Sequence, residues 1–134
     1  MTFSGRMIDT HPGTISIATD ILTRCIDDCH SCAQACTACA DACLAEGDVA
    51  HLRRCITLCL NCAGICEATA AVISRTADLD RALAQAILDA CVTCCSICGR
   101  ECHDHAQMGM EHCAVCEEAC RLCEQACTEL IAAL

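Results

Sequence analysis

Aromatic side chains are almost missing from this sequence: Phe3 is the single Phe, and there is no Trp or Tyr among 134 residues. An interior must therefore be assembled without the large rings that dominate most cores. Proline is equally scarce, with Pro12 the only one, so the rest of the chain is free of the ring that breaks helices. Positive charge is thin, with 8 Lys+Arg against 18 Asp+Glu and a formal net charge of -10. That balance argues against a nucleic-acid partner, because phosphate binding needs a basic surface. The opening MTFSGRMIDTHPGT has no apolar segment behind a basic cluster and no twin arginine, so no export signal is visible. No uninterrupted apolar run approaches the roughly 20 residues of a bilayer span. The expectation is a soluble cytoplasmic protein with no membrane partner, in a compartment where thiols stay reduced and dense cysteine means metal more often than disulfides.

What the chain has instead is sulfur. Cysteine accounts for 20 residues, in a composition that is 55% hydrophobic. The stretch CIDDCHSCAQACTACADAC places thiols at Cys25, Cys29, Cys32, Cys36, Cys39 and Cys43. These steps of four and three are the a and d positions of a heptad, where a bundle helix normally carries Leu or Ile. A second segment holds Cys55, Cys59, Cys62 and Cys66. A third holds Cys91, Cys94, Cys95, Cys98 and Cys102, and a fourth Cys113, Cys116, Cys120, Cys123 and Cys127. Every row keeps the same alternation, with Cys94 as the single addition.

The breaks between rows are short. Gly47 is placed to end the first helix and Asp48 to cap the next; Asp78 is a further N-cap candidate, and Gly109 is the flexible point of HDHAQMGM. Ala, Leu, Glu and Gln dominate elsewhere, which predicts helices near 14–45, 49–74, 79–103 and 109–132. An N-terminal extension over 1–13 precedes one domain over 14–134. Helices of this length on short loops should pack as an all-α, antiparallel, up-down-up-down four-helix bundle with a Cys-lined core.

Cβ atoms three and four apart on a helix are about 5–6 Å from one another, and a metal held linearly between two thiolates separates the sulfurs by about 4.6 Å. Each row is therefore a ladder of two-sulfur clamps. Thiolates select Cu(I), zinc and iron–sulfur clusters. An isolated four-thiolate zinc site buries surplus negative charge, whereas replacing each thiol proton by Cu(I) leaves the charge unchanged. With bridging sulfurs the capacity would be about one Cu(I) per Cys.

This pattern resembles the cytosolic copper storage proteins, whose four-helix bundles hold many Cu(I) ions on Cys-lined cores. The resemblance extends from Thr14 to about Leu130 and rests on four registered Cys rows in a helical setting. It implies a homotetramer and multinuclear copper–thiolate clusters, with all 20 Cys as ligands. It also brings Asn61, beside Cys62, into view as an oxygen donor, since some members of the family use one; an interhelical hydrogen bond is the alternative. A copper chaperone or a small thiol is the expected kind of copper donor.

The competing readings are weaker. Buried Cys can pack as a small hydrophobe, but twenty oxidisable thiols are a liability where Ala or Val would serve. An iron–sulfur electron-transfer protein is the strongest rival, although ferredoxin runs end in Cys-Pro and no Cys here precedes proline. A zinc–thiolate buffer needs no heptad register. For an enzyme there is no nucleophile–base pair apart from the thiol rows and no phosphate loop.

The two ends of the expected tube differ. Continuing the register beyond the Cys gives Ile15, Leu22, Ile73, Leu88 and Leu130 at one end, a dry plug. The other end gathers His51, His103, His105, Met108, Met110 and His112. His105, three residues after Cys102, is in register with the thiols and is the first candidate for a non-Cys ligand. The other histidines are candidates for metal contact or for solvated capping, and the methionines for soft ligands or packing.

Overall fold

Each of the four Cys rows lies on one long helix in the computed structural model of the chain, which describes residues 2–134. These are α2 (Thr19–Leu44), α3 (Arg53–Ile73), α4 (Arg81–Gln107) and α5 (Glu111–Ala133). A short helix α1 (Phe3–Asp9) comes first, and a 3-10 turn over Val49–Leu52 leads into α3. Among the described residues there is no strand, so the fold is all-α.

The helix ends depart from expectation in instructive ways. α2 begins at Thr19, not at 14; residues 14–18 form an irregular lead in which Ile17 is buried. Asp48 caps as expected, its carboxylate accepting from the His51 backbone N–H at 3.3 Å. The cap of α4 is Asp80, two residues beyond the expected Asp78, and its Oδ1 accepts from the Leu83 N–H at 2.9 Å. Gly47 is not left-handed; among the described residues the single positive φ belongs to Gly109, at 93°. There the Gly109 N–H reaches the Ala106 carbonyl at 3.0 Å and the Met110 N–H reaches the His105 carbonyl at 3.3 Å. This pair of bonds is a Schellman closure, which needs a left-handed residue. α4 therefore continues past 103 to Gln107, and it carries His105 into the fold.

The expected extension over 1–13 contains α1, which the periodicity of the Cys rows does not foretell. Thr2 caps it, and the Thr2 hydroxyl donates to Asp27 Oδ2 at 2.8 Å, with Ser4 donating to the other oxygen of the same carboxylate. Through these bonds α1 is fastened to α2.

The long helices form a closed ring of neighbours in which α2 touches α3 and α5, and α4 touches the same two. Gly99 permits one close approach, since a Cβ there would come within 3.2 Å of the Arg121 side chain and 3.4 Å of Cys120 Cβ. Leu22, Ile73, Leu88 and Leu130 are all buried and form the expected plug, while Ile15 lies only partly buried outside α2. Leu52 is also fully buried, at the opposite end and three residues before Cys55. That end is therefore partly apolar.

Among the described residues two helical stretches, Val49–Ile73 and Arg81–Gln107, are long and apolar enough to cross a membrane by length and composition, although polar residues such as Glu67 and Asp89 interrupt them, in keeping with the absence of a long uninterrupted run. In both, the Cys rows face neighbouring helices and are buried, while Ile, Leu, Val and Ala supply most of the apolar character.

Candidate metal centre

A helix turns 100° per residue, so steps of three and four return each side chain to one narrow stripe. Four such stripes meet along the axis of the ring. Moving along α2 from the plug, Cys25 Sγ lies 3.7 Å from Cys127, Cys29 3.7 Å from Cys123, Cys32 3.8 Å from Cys120, Cys36 3.7 Å from Cys116 and Cys39 3.9 Å from Cys113. Numbers rise on α2 as they fall on α5. The α3/α4 pair shows the same order, with Cys66–Cys91 at 3.8 Å, Cys62–Cys95 at 3.8 Å and Cys59–Cys98 at 3.7 Å. All 20 cysteines are free, and all but Cys94 are buried.

The sulfurs fall into overlapping groups. Cys32, Cys62, Cys66 and Cys95 form one, Cys32, Cys36, Cys62 and Cys120 a second, and Cys36, Cys98, Cys116 and Cys120 a third; within each group every sulfur is within 4.8 Å of the others. Toward the plug, Cys29, Cys91, Cys123 and Cys127 form a further group. With metal–sulfur bonds near 2.3 Å, a tetrahedral centre places sulfurs about 3.8 Å apart, a trigonal one about 4.0 Å and a linear one about 4.6 Å. Spacing alone does not choose among these geometries. Sharing bears on how many metals meet at one sulfur: Cys32 and Cys62 belong to two groups, as do Cys36 and Cys120. Filling neighbouring groups together would make the shared sulfurs bridge metals, which a separate mononuclear site does not require.

Electrostatics inside the tube follow from thiols hydrogen-bonding to thiols. Cys32 is pulled downward by Cys120 first, and Cys91 by Cys123 first, because neighbouring S–H groups stabilise their thiolates. Cys36 and Cys95 are pushed upward through their contacts with Cys116 and Cys123. The buried polar or charged residues are only Thr69 and His105 among those described, so no Lys or Arg lies inside to balance thiolate charge.

At the end opposite the plug the structure brings His112 onto the thiols. Its Nδ1 lies 3.4 Å from Cys39 Sγ and 3.6 Å from Cys113 Sγ, and its Nε2 lies 3.0 Å from Glu46 Oε1. Burial works against its charged form, but the bonds to Cys39 and Glu46 outweigh this and raise its pKa. With Cys43 these residues make a mixed Cys/His group. His112 precedes Cys113 and so flanks the stripe; only the position of α2 turns that flank into a contact.

His105 is buried, as its register predicts, but its ring is not hydrogen-bonded to any sulfur. Its Nε2 lies 3.3 Å from Glu101 Oε1, while Nδ1 is buried without a partner. The ring stands edge-on to His51, with centroids 5.7 Å apart. His51 itself is exposed, His103 is exposed and pairs with Glu117 at 2.9 Å, Met108 is exposed, and Met110 packs partly against the core.

Asn61 is exposed on the outer side of α3. One residue before Cys62, it is rotated by about 100° from the sulfur stripe. Cys94 is the converse case. Although outside the regular register, its Sγ reaches Cys62 at 3.7 Å.

A sequence model of the copper storage protein family matches residues 18–132. The chain belongs to the copper storage protein family. Among solved structures, the copper storage protein Ccsp of Streptomyces lividans loaded with 10 copper equivalents is 51% identical, with a TM-score of 0.95 over 98% of this chain and 99% of that one. The cytosolic copper storage protein of the same organism with five coppers is 56% identical, with a TM-score of 0.83 over 86% of this chain and 95% of that one. A histidine mutant of Ccsp is 54% identical over 88% of this chain and 98% of that one, with a TM-score of 0.85. No curated protein matches. This member of the family carries its Cys rows on all four long helices, with a mixed Cys/His group at one end.

Proposed function

We propose that the protein is a cytosolic Cu(I) store: an antiparallel, up-down-up-down four-helix bundle that holds copper on the thiolates of its 20 Cys. The observation that carries this reading is the continuous net of buried, reduced sulfurs whose four-membered groups share members. Bridging thiolates fill such a net at about one Cu(I) per sulfur, and each Cu(I) replaces one proton without adding buried charge. The domain is taken to span 14–134, with the 1–13 extension held against α2.

His112 joins Cys39, Cys43 and Cys113 as the mixed site at the end opposite the plug, and the free Nδ1 of His105 makes it a further ligand there. Storage needs no turnover, and the reading assigns no catalytic residue. The cytosolic location is supported by the description of the Streptomyces lividans relative. The homotetramer follows from the family resemblance, and a copper chaperone or a small thiol is the proposed donor.

Anaerobic titration of reduced protein with Cu(I) against a competing chelator tests the function. Uptake of about one Cu(I) per Cys is expected, and saturation after one to four equivalents would refute it. Iron and acid-labile sulfide in protein as isolated would point to electron transfer instead.

A further inference from the structure

The regular rows account for nineteen buried thiols, but not for the one that departs from them. Cys94 stands beside Cys95 on α4, about 100° around the helix from it, and is the sole cysteine that is partly exposed. Its S–H points to the Cys91 carbonyl at 3.2 Å, and its Sγ is 3.7 Å from Cys62. Cys62 is not a terminal sulfur. It belongs to two of the four-sulfur groups, and it lies between Cys59 and Cys66 on α3, in the middle of the row. The one partly exposed cysteine is therefore a single sulfur contact away from the centre of the net, through the wall between α3 and α4.

We propose that Cys94 is a lateral exchange site through which a small soluble thiol withdraws or supplies Cu(I) at mid-length, without passing either end of the tube. This inference rests on the copper-storage reading above. Its physical basis is access. Ligand exchange at Cu(I) requires the incoming sulfur to reach bonding distance of about 2.3 Å from the metal, which is feasible only where a bound sulfur meets solvent. In the exchange the incoming thiol releases its proton to solvent and bonds to a Cu(I) held by Cys94 and Cys62. The Cys94–Cu bond then breaks and Cys94 takes up a proton; a second incoming thiol displaces Cys62 in the same way, so the ion leaves as a two-thiolate complex, still Cu(I), and no electron moves. The chemistry favours a small molecule because the sulfur is half-recessed in the flank of a helix pair, with no loop beside it in sequence to receive a protein partner.

Two measurements on the full-length chain decide the matter. Limiting iodoacetamide applied anaerobically to reduced, metal-free protein should place its first adduct on Cys94, as located by peptide mass spectrometry. A first adduct on Cys39, Cys43 or Cys113 would overturn the proposal. Copper-filled wild-type and Cys94→Ser proteins are then mixed with excess glutathione, and the copper remaining on the protein is measured after desalting at timed intervals. Serine keeps a hydroxyl for the Cys91 carbonyl. The variant should release copper roughly tenfold more slowly, while its capacity falls by only about one Cu(I). Equal release rates would refute the lateral site. If the wild type itself takes up only a few copper ions, the storage reading fails; full wild-type capacity with unaltered release refutes the exchange site alone. Should the variant lose its helical circular dichroism, the alkylation map of the unaltered protein decides.

Discussion

Asp28 is a carboxyl that the fold disfavours in its charged form. It sits half-buried on α2 between Asp27 and the thiol row, and burial raises its pKa above 3.8, with Arg24 pulling the other way. A carboxyl raised on folding stabilises the folded state fully below its unfolded pKa, and that contribution is lost as pH rises through the folded value. Asp28→Asn should therefore raise the melting temperature at pH 7, and the gain should disappear near and below pH 3.8. Thermal melts of both proteins across that range check the sign. At the same scale, Asn61→Ala should leave copper capacity unchanged and stability within about 0.5 kcal/mol, because the side chain is exposed and away from sulfur. His112→Ala should instead lower capacity by about one Cu(I) at the end opposite the plug, since it removes the nitrogen that lies 3.4 Å from Cys39. Paired anaerobic titrations distinguish the two outcomes.

The helices end for different reasons, and the two interhelix glycines separate them. Gly109 has space for a Cβ but a φ of 93°, so Gly109→Ala puts an L-residue in a left-handed position. It should cost about 1 kcal/mol or more through backbone strain alone. Gly47 has equally open surroundings without positive φ, and Gly47→Ala should be neutral or stabilise by about 0.4–1 kcal/mol by restricting the unfolded chain. Chemical denaturation of the metal-free proteins measures both. The same contrast explains why two glycines between helices read alike in sequence: composition marks a break, but φ depends on where the next helix must start.

For the molecule as a whole, the plug and the helices should suffice without copper. α2 and α4 run for 26 and 27 residues, and their packing, not metal, supplies most of the helical stability. Reduced metal-free protein should give a helical far-UV spectrum, unlike a zinc finger, whose folding depends on its ion. Leu130→Ala should destabilise this state by about 2–5 kcal/mol through a cavity at the dry end, because Leu130 is buried with Leu22, Ile73 and Leu88. A random-coil spectrum for the unaltered apo-protein would contradict a preformed container.

What the chain determines by itself is whatever depends on spacing along one helix. Steps of three and four place Cys32, Cys36 and their counterparts on stripes, and the scarcity of proline and aromatic residues leaves helices with sulfur cores as the outcome. The plug of Leu22, Ile73, Leu88 and Leu130 and the burial of His105 follow from the same periodicity. What only the tertiary structure decided depends on how one helix is rotated and staggered against another. That stagger set His112 against Cys39, turned Asn61 outward and left Cys94 in the wall beside Cys62. It also docked α1 on Asp27, a contact between segments with no shared period. Periodicity places a side chain on a face; the neighbour it meets there is set by the packing of all the helices together.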